Sequence, residues 1–431
     1  MKLPLSLVFR FIAVVALCIV LSIVYNHLED NLHPTATRQR QLKTPINHTC
    51  TKLPIDVFTA IHGNGHMQYK STSSMPYLNL DNSRKYAINN LTVVQDGIFW
   101  SDELLQMSPK GTSVQDIYSI SSKFKFSNIN VTGMETRICS YGSSPNNARV
   151  TLTDGTQWCA RYKPPCFILG ELMAYYFSLM MHMNYIPAVI LTKPDPSTPQ
   201  WGSELVKEFL KKRKWDPNNI ITMTKWIPNL RRILVSNIMR YGDRLLHIDN
   251  PMFSNVTQRE LFRLIAYSDA TILDYLMAES DRVLFLHRHN FKYRGDNKLI
   301  HNLFFDENSK AWMLDNEMSF FWGQTLQTPA YAPLIGILKS VCIFRRQTVE
   351  MVFKLHAHKN VPRLLWEVVN EHVGPLDLEW NPQKPIICEL HDKQYTIDWA
   401  NTFTERIEKA YMWITRCSEA GYESLLNDMK S

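Results

Sequence analysis

The sequence predicts a mixed α+β protein of two lobes behind an N-terminal transmembrane helix. Strand-like runs concentrate before about residue 200, and helical patterns dominate after it. That order fits a small β-rich lobe, over about 96–230, followed by a larger helical lobe, over about 231–431. With 431 residues, 45% of them hydrophobic, the chain is long enough to bury the core of both lobes.

An apolar run over residues 11–25 predicts a signal anchor. Lys2 and Arg10 precede it, and positive charge on this side keeps the tail, residues 1–10, in the cytosol and the rest in the lumen. With the apolar residues of that tail the span reaches about the twenty that a bilayer needs. A cleaved signal peptide is the alternative, but no clear small-x-small cleavage site follows Leu21.

The residues after the anchor support a luminal body. Residues 26–50 are polar, contain prolines and predict a stem, which is followed by a luminal domain over 51–431. Seven cysteines outside the anchor predict up to three disulfides in an oxidising compartment, but their number does not give the pairing. Four Asn-x-Thr sequons predict glycosylation, at Asn47, Asn90, Asn130 and Asn255.

Local patterns predict the elements of the luminal domain. Asp154-Gly155, between two strand-like runs, predicts a β-hairpin, and the apolar run over 167–181 predicts a buried helix. Thr257-x-x-Glu260 is a capping box that predicts the start of a long helix, and 310–314 predicts a short strand. Thr402-x-x-Glu405 predicts the start of the last clear helix in a region of helical patterns that begins at Val349.

Two acidic motifs at the ends of these elements indicate phosphoryl transfer. Asp281 ends the long helix, and Asp315 ends the short strand. Phosphoryl transfer needs one carboxylate to orient the attacking hydroxyl and another to hold the metal that bridges the phosphates. We assign the first role to Asp281 and the second to Asp315.

A cation on a strand and a Glu on the next helix complete such a site. Arg161 and Lys163 lie two residues apart and therefore share one face of a strand, while Glu171 follows inside an apolar helix. These residues predict a phosphate-binding cation that pairs with Glu171. The alternatives are a purely stabilising ion pair, a helix cap for Asp281-Arg282, and a turn for Asp315-Asn316-Glu317.

Composition argues against other classes of function. The net charge of +7 comes without a long basic block, a zinc-knuckle spacing or a basic tract interleaved with aromatic residues, so nucleic-acid binding is disfavoured. A luminal glycosyltransferase would share the anchored layout, but the chain contains no Asp-x-Asp motif of the kind that grips a nucleotide sugar.

Seven motifs between about residues 96 and 422 resemble the four-jointed family of Golgi type II kinases, which are related to secretory-pathway casein and xylose kinases. They are DGIFWS (96–101), DGTQWCARY (154–162), GELMAYYF (170–177), TKWIPNL (224–230), ILDYLMAESDR (272–282), LDNE (314–317) and SVCIFR (340–345).

The resemblance implies an atypical protein-kinase-like fold and phosphate transfer from ATP, with Mn²⁺ or Mg²⁺, to Ser or Thr. It also implies a Golgi membrane location and substrates among extracellular cadherin repeats of the Fat and Dachsous type, which act in planar cell polarity and growth signalling. Whether cleavage also yields a secreted form stays open. The family pattern matches Asp281 to the catalytic Asp, Asp315 to the metal-binding Asp, Glu171 to the helix Glu, and Arg161 or Lys163 to the strand cation.

The family's disulfides match Cys139 with Cys159 and Cys342 with Cys417, and leave Cys50, Cys166 and Cys388 without a counterpart. One departure concerns the second metal ligand, because this chain has Leu286 where the family has a polar residue five positions after the catalytic Asp. Asn290 could substitute. The departure keeps open a pseudokinase, a binding module without catalysis.

Overall fold

The structure is a computed structural model that describes residues 78–109, 129–136, 146–240, 244–283, 299–321, 334–358, 360–373, 386–390 and 393–430. The predicted anchor and stem, and also Asn47, Cys50, Cys139, Leu286 and Asn290, lie outside these ranges. Within them, no helix combines the length and the apolar character that crossing a membrane requires.

The described elements confirm the mixed α+β class. In chain order they are β1 (Tyr86–Ile88), β2 (Leu91–Gln95), β3 (Phe99–Trp100), α1 (Asp102–Met107), β4 (Val131–Glu135), β5 (Asn147–Leu152), β6 (Gln157–Arg161), α2 (Pro165–Met180), β7 (Val189–Thr192), α3 (Glu204–Arg213), β8 (Ile221–Lys225), β9 (Arg231–Leu234), α4 (Asn237–Arg240), a 3₁₀ turn (Pro251–Asn255), α5 (Gln258–Met277), β10 (Leu299–Phe305), β11 (Ala311–Met313), α6 (Arg346–Ala357), α7 (Val361–Val373), β12 (Ile386–Leu390), β13 (Lys393–Ile397), α8 (Trp399–Glu419) and α9 (Tyr422–Lys430).

An antiparallel sheet of five strands, in the order β4-β5-β6-β8-β7, carries the first site residues. The predicted hairpin is confirmed as β5 and β6, with Ala148 opposite Ala160. Gly155 adopts a left-handed φ of 77° in the turn between the two strands, a conformation that favours glycine. Strand β6 ends at Arg161, which places this cation at the edge of the hydrophobic core.

Helix α2 packs against β7 and β8 of this sheet and against α7. It begins with Pro165 at its first turn, where the missing N–H costs no hydrogen bond. From Ile168 to Met180 every side chain is buried, Glu171 included. The predicted buried helix is therefore confirmed, and it carries Glu171 toward the interior.

Helix α5 begins with the predicted capping box. The Thr257 hydroxyl accepts the Glu260 N–H at 3.3 Å, and the Glu260 carboxylate accepts the Thr257 N–H at 3.4 Å. The helix ends at Ala278, which has a left-handed φ of 60°. This C-cap turns the chain toward Asp281.

A second sheet, in the order β11-β10-β9, brings Asp315 to the same region. Strands β10 and β11 form an antiparallel hairpin with Leu303 opposite Met313. The predicted strand over 310–314 is therefore confirmed as β11, and Asp315 follows two residues after its end.

The C-terminal region is mainly helical, as predicted, but the antiparallel hairpin β12–β13 lies within it. The predicted start of its last clear helix at Thr402 is wrong. Helix α8 begins at Trp399 with Asp398 as its N-cap, because the Asp398 carboxylate accepts the Asn401 N–H at 3.3 Å. Thr402 lies inside this helix and donates its hydroxyl to the Asp398 carbonyl at 2.7 Å, so it caps nothing.

Two disulfides are complete within the described residues. Cys342–Cys417 confirms the predicted pair, whereas Cys166–Cys388 joins two cysteines that had no counterpart. The second bond ties the first turn of α2 to β12. Cys159 is also disulfide-bonded, but the predicted bond to Cys139 reaches outside the described residues and stays a prediction.

Candidate active site

The candidate site is built around the fully buried guanidinium of Arg282. Arg282 forms an ion pair with Asp274 on α5, and its Nη2 donates to Asn316 Oδ1 at 2.6 Å. Its Nε donates to the Asn302 carbonyl at 3.3 Å, and Nη2 donates to the Leu314 carbonyl at 3.2 Å. One side chain therefore connects the end of α5, strand β10 and the turn after β11.

The turn after β11 presents two carboxylates to Arg161, the last residue of β6, and to Lys163, which follows the strand. Arg161 Nη1 forms ion pairs with Asp315 and with Glu317, the latter at 3.2 Å. Lys163 Nζ lies 3.0 Å from the other carboxylate oxygen of Glu317. The structure therefore brings both predicted strand cations together with the predicted metal-binding Asp.

The Asp315 carboxylate is ionised in this cluster. Burial opposes its ionisation, but the charge and hydrogen bond of Arg161, together with the charges of Lys163 and His301, hold the pKa of Asp315 below its ordinary value. Asp315 has a left-handed φ of 59°, which Asp tolerates better than most residues. Its side chain keeps 15% of its surface exposed.

Glu171 supports this turn without contacting either cation. Its carboxylate accepts the Asn316 N–H at 2.6 Å and the Thr224 hydroxyl at 3.2 Å. Burial raises the pKa of Glu171, against the opposing charge of Arg161. The expected direct pairing of Glu171 with Arg161 or Lys163 is therefore absent among the described residues.

Gly170 explains why Glu171 reaches the backbone of the turn. A Cβ atom at Gly170 would lie 2.7 Å from the Glu317 carbonyl oxygen and 2.8 Å from that of Ser319. Both distances are shorter than real Cβ contacts allow, and both oxygens belong to the backbone. Only glycine lets α2 approach the turn this closely.

Asp281 lies at the rim of the site, with 36% of its side chain exposed. Its carboxylate accepts the Asn302 amide at 3.1 Å and lies 3.3 Å from His301 Nδ1. His301 Nδ1 also lies 2.9 Å from the Asp281 carbonyl oxygen. The Asp281 N–H donates to Glu279 at 2.8 Å, so both its backbone and its carboxylate are held in place.

The hydrogen bond with Asp281 raises the pKa of His301, while partial burial opposes this shift. Burial raises the pKa of Glu279 well above its ordinary value, and the other oxygen of Glu279 accepts the Ser319 hydroxyl at 3.0 Å. Glu279 therefore joins the loop of Asp281 to the turn that follows Asp315.

Sequence reasoning missed His301, Asn302 and the role of Arg282. The signal for Arg282 was present, since a charged residue directly after a buried helix needs partners when it is itself buried. The signal for Asn302 was its place in β10, opposite the residue before Asp315. Both readings required the pairing of β10 with β11.

Three predicted glycosylation sites lie outside this cluster. Asn90 and Asn255 are exposed, and Asn90 follows β1 in a turn with a left-handed φ of 67°. Asn130 is half-buried, and its backbone bonds to Thr153. Glycosylation of these residues stays a prediction.

The profile of the "Four-jointed box protein middle domain" family matches residues 120–420 of the chain. This match covers well over half of the sequence. The protein therefore belongs to the four-jointed box family, in agreement with the resemblance of its sequence motifs.

The similar curated proteins include Four-jointed box protein 1 of Mus musculus, which is 26% identical over 308 residues. That alignment covers 69% of this chain and 64% of the mouse protein. The "Extracellular serine/threonine protein kinase four-jointed" of Drosophila melanogaster is 24% identical over 315 residues, covering 61% of this chain and 53% of the fly protein. The chain thus spans about two thirds of the mouse relative and about half of the fly relative.

Solved structures show a distant likeness. The Golgi casein kinase with Mn/ADP bound has a TM-score of 0.44 and 13% identity, with 88% of this chain and 94% of that chain covered. Hydra Fam20 with sugar has a TM-score of 0.41 and 13% identity, with 72% of this chain and 90% of that chain covered.

Replacing Gly170 should test the contact between α2 and the turn. We expect Gly170→Ala to lower the free energy of unfolding by about 1–3 kcal/mol, because the added methyl group overlaps two backbone oxygens. Gly336→Ala is the matched control, since no atom lies within 4 Å of a Cβ there. Urea unfolding followed by fluorescence measures both, and equal midpoints for the two variants would contradict this packing.

The link between His301 and Asp281 predicts a pH dependence. Because folding raises the His301 pKa, the stability it contributes is full below the unfolded value of about 6.5 and is lost as pH rises through the folded pKa. In Asp281→Asn we expect the pKa of His301 to fall and this pH dependence to shrink. Ring-proton NMR titration measures the pKa, with His301→Gln to identify the resonance; an unchanged pKa would rule out the link.

Proposed function

We propose that this protein is a kinase of the secretory pathway that transfers phosphate from ATP to Ser or Thr. One observation carries the proposal: Arg282 bonds both to Asn302 in the middle of β10, whose side chain contacts Asp281, and to the turn that holds Asp315. The arrangement links the accessible carboxylate of Asp281 to the turn that carries Asp315, whose ionised carboxylate pairs with Arg161. The printed name of the Drosophila relative, an extracellular serine/threonine protein kinase, supports the same class.

The residues present fit a nucleotide with a divalent cation. Arg161 and Lys163 supply positive charge for phosphate oxygens, and the ionised Asp315 supplies a hard oxygen ligand. Among the described residues, no three His, Cys, Asp or Glu side chains form a group that could hold a metal. That suits Mg²⁺ or Mn²⁺ sites completed by substrate phosphates, which use only one or two carboxylates from the protein. When bound, the cation would neutralise charge that develops on the phosphates.

The proposed step is a transfer of the γ-phosphoryl group. The acceptor hydroxyl oxygen forms a bond to the γ-phosphorus, the bond to the bridging oxygen breaks, and ADP leaves with that electron pair. Asp281 orients the hydroxyl and accepts its proton. Asn302 and His301 hold the Asp281 carboxylate in place, and Arg161 and Lys163 orient the phosphates.

We further propose a type II Golgi membrane protein with its catalytic domain in the lumen. The apolar run over 11–25, its flanking charges and the exposed sequons at Asn90 and Asn255 support this location. The Cys166–Cys388 and Cys342–Cys417 bonds are typical of an oxidising compartment. For substrates we propose extracellular cadherin repeats of the Fat and Dachsous type, on the resemblance to the family.

Phosphate transfer from labelled ATP to purified cadherin repeats tests the proposal. The full chain is assayed with Mn²⁺ and then with Mg²⁺. We expect transfer by the wild-type protein, and a loss of about 10²- to 10⁴-fold in Asp281→Asn, because the hydroxyl loses the group that accepts its proton. Asp315→Asn should abolish transfer, because the metal loses its charged ligand.

Glu208→Gln, an exposed residue of α3, is the control and should transfer phosphate at the wild-type rate. A folded, disulfide-bonded wild-type chain without transfer in either metal would refute the kinase and favour a binding module without catalysis. Undiminished transfer by Asp315→Asn would refute the assignment of the metal ligand.

A further inference from the structure

The catalytic loop of a protein kinase carries an Asn five residues after the catalytic Asp, and this Asn binds the second metal ion. This chain has Leu286 at that position, and leucine can neither donate a hydrogen bond nor bind a cation. Resting on the proposed function, we propose that Asn302 supplies the missing amide. Its Nδ2 positions Asp281, and its Oδ1 is a ligand for the divalent cation beside Asp315.

The backbone of Asn302 lies between the two acidic motifs. The Leu314 N–H, one residue before Asp315, donates to the Asn302 carbonyl at 3.0 Å. Arg282 Nε donates to the same oxygen at 3.3 Å. The Asn302 carbonyl is therefore held by Leu314, which precedes Asp315, and by Arg282, which follows Asp281.

The local distortion of β10 turns the Asn302 side chain toward Asp281. In a regular strand, successive side chains point to opposite faces. Here His301 and Asn302 both reach the same carboxylate. Asn302 has a left-handed φ of 52°, and the pairing of β10 with β9 shifts register between Leu299 and Phe304. Such bulges re-aim side chains and are common beside active sites.

Only the nitrogen of the Asn302 amide has a hydrogen-bond partner among the described residues. Asn302 Nδ2 donates to Asp281 Oδ2 at 3.1 Å, and Asn302 Oδ1 takes no part in this hydrogen bond. Within the described residues no group donates to Asn302 Oδ1, so this oxygen is available to a ligand.

An amide oxygen together with an ionised carboxylate is a donor set that Mg²⁺ and Mn²⁺ accept. Asn302 would thus perform both tasks of a kinase catalytic-loop Asn from the following strand. Asn302 is 21 residues after Asp281 in the chain, and the hairpin of β10 and β11 sets its position.

The test uses Asn302→Gly, since glycine adopts the left-handed conformation without strain and the change removes the whole side chain, amide included. Electron paramagnetic resonance of free Mn²⁺ measures metal binding by the full chain with saturating ADP, and phosphate transfer is assayed in parallel. We expect each to weaken by about 10- to 100-fold. Asn308→Gly, exposed in the turn of the same hairpin, is the matched control and should behave as the wild-type chain.

A second variant, Asn302→Asp, separates the two tasks and has nearly the same shape as the native residue. It keeps an oxygen ligand but cannot donate to Asp281, so we expect retained Mn²⁺ binding with reduced transfer. The proposal is overturned if Asn302→Gly binds Mn²⁺ with ADP and transfers phosphate as Asn308→Gly does. If the wild-type chain transfers no phosphate and Asn302→Gly still loses Mn²⁺, the proposed function fails while Asn302 remains a metal ligand.

Discussion

The buried guanidinium of Arg282 is the interaction on which the rest of the site depends. A buried charge is costly unless it is paired and its hydrogen-bond donors are satisfied. Arg282 meets this requirement only when α5, β10 and the turn after β11 supply Asp274, the Asn302 carbonyl, the Leu314 carbonyl and Asn316 together. The three segments that form the site are therefore held in one arrangement by one side chain.

A second constraint acts from the other side of the same turn. Gly170 lets α2 contact the carbonyls of Glu317 and Ser319, and Glu171 then accepts the Asn316 N–H. Asn316 is thus held by Arg282 through its side chain and by Glu171 through its backbone. The neighbouring Asp315 and Glu317 are left to meet Arg161 and Lys163. Along the turn, Asn316 makes the supporting hydrogen bonds, and its partly buried neighbours Asp315 and Glu317 carry the charges.

Local signals were enough to predict the elements that deliver the site. Asp154-Gly155 marked the hairpin that ends at Arg161, and the capping box at Thr257 marked the helix that leads to Asp281. The sequence also identified the charged residues that the fold brings together, from Arg161 and Glu171 to Asp281 and Asp315. It was wrong only about the partner of Glu171, which bonds to Asn316 and Thr224 and not to a cation. Each of these signals lies within a few residues of the feature that it predicts.

The sequence could not show contacts that depend on pairing between distant segments. The Cys166–Cys388 bond spans 222 residues, and hairpin β12–β13 is too short to stand out within helical patterns. Asn302 meets Asp281 where the pairing of β10 with β9 shifts register, which no spacing rule describes. The partner of Glu171 depended on a close approach at Gly170 that the sequence marks only as a glycine in a helix.

A crystal structure of the full chain with Mn²⁺ and ADP would test most directly whether Arg282 assembles a phosphoryl-transfer site. We predict manganese on Asp315 and the nucleotide phosphates beside Arg161 and Lys163, with the bonds of Arg282 to Asp274 and Asn316 intact. Nucleotide bound away from this cluster, or Asp281 and Asp315 separated by a broken Arg282 network, would contradict the account.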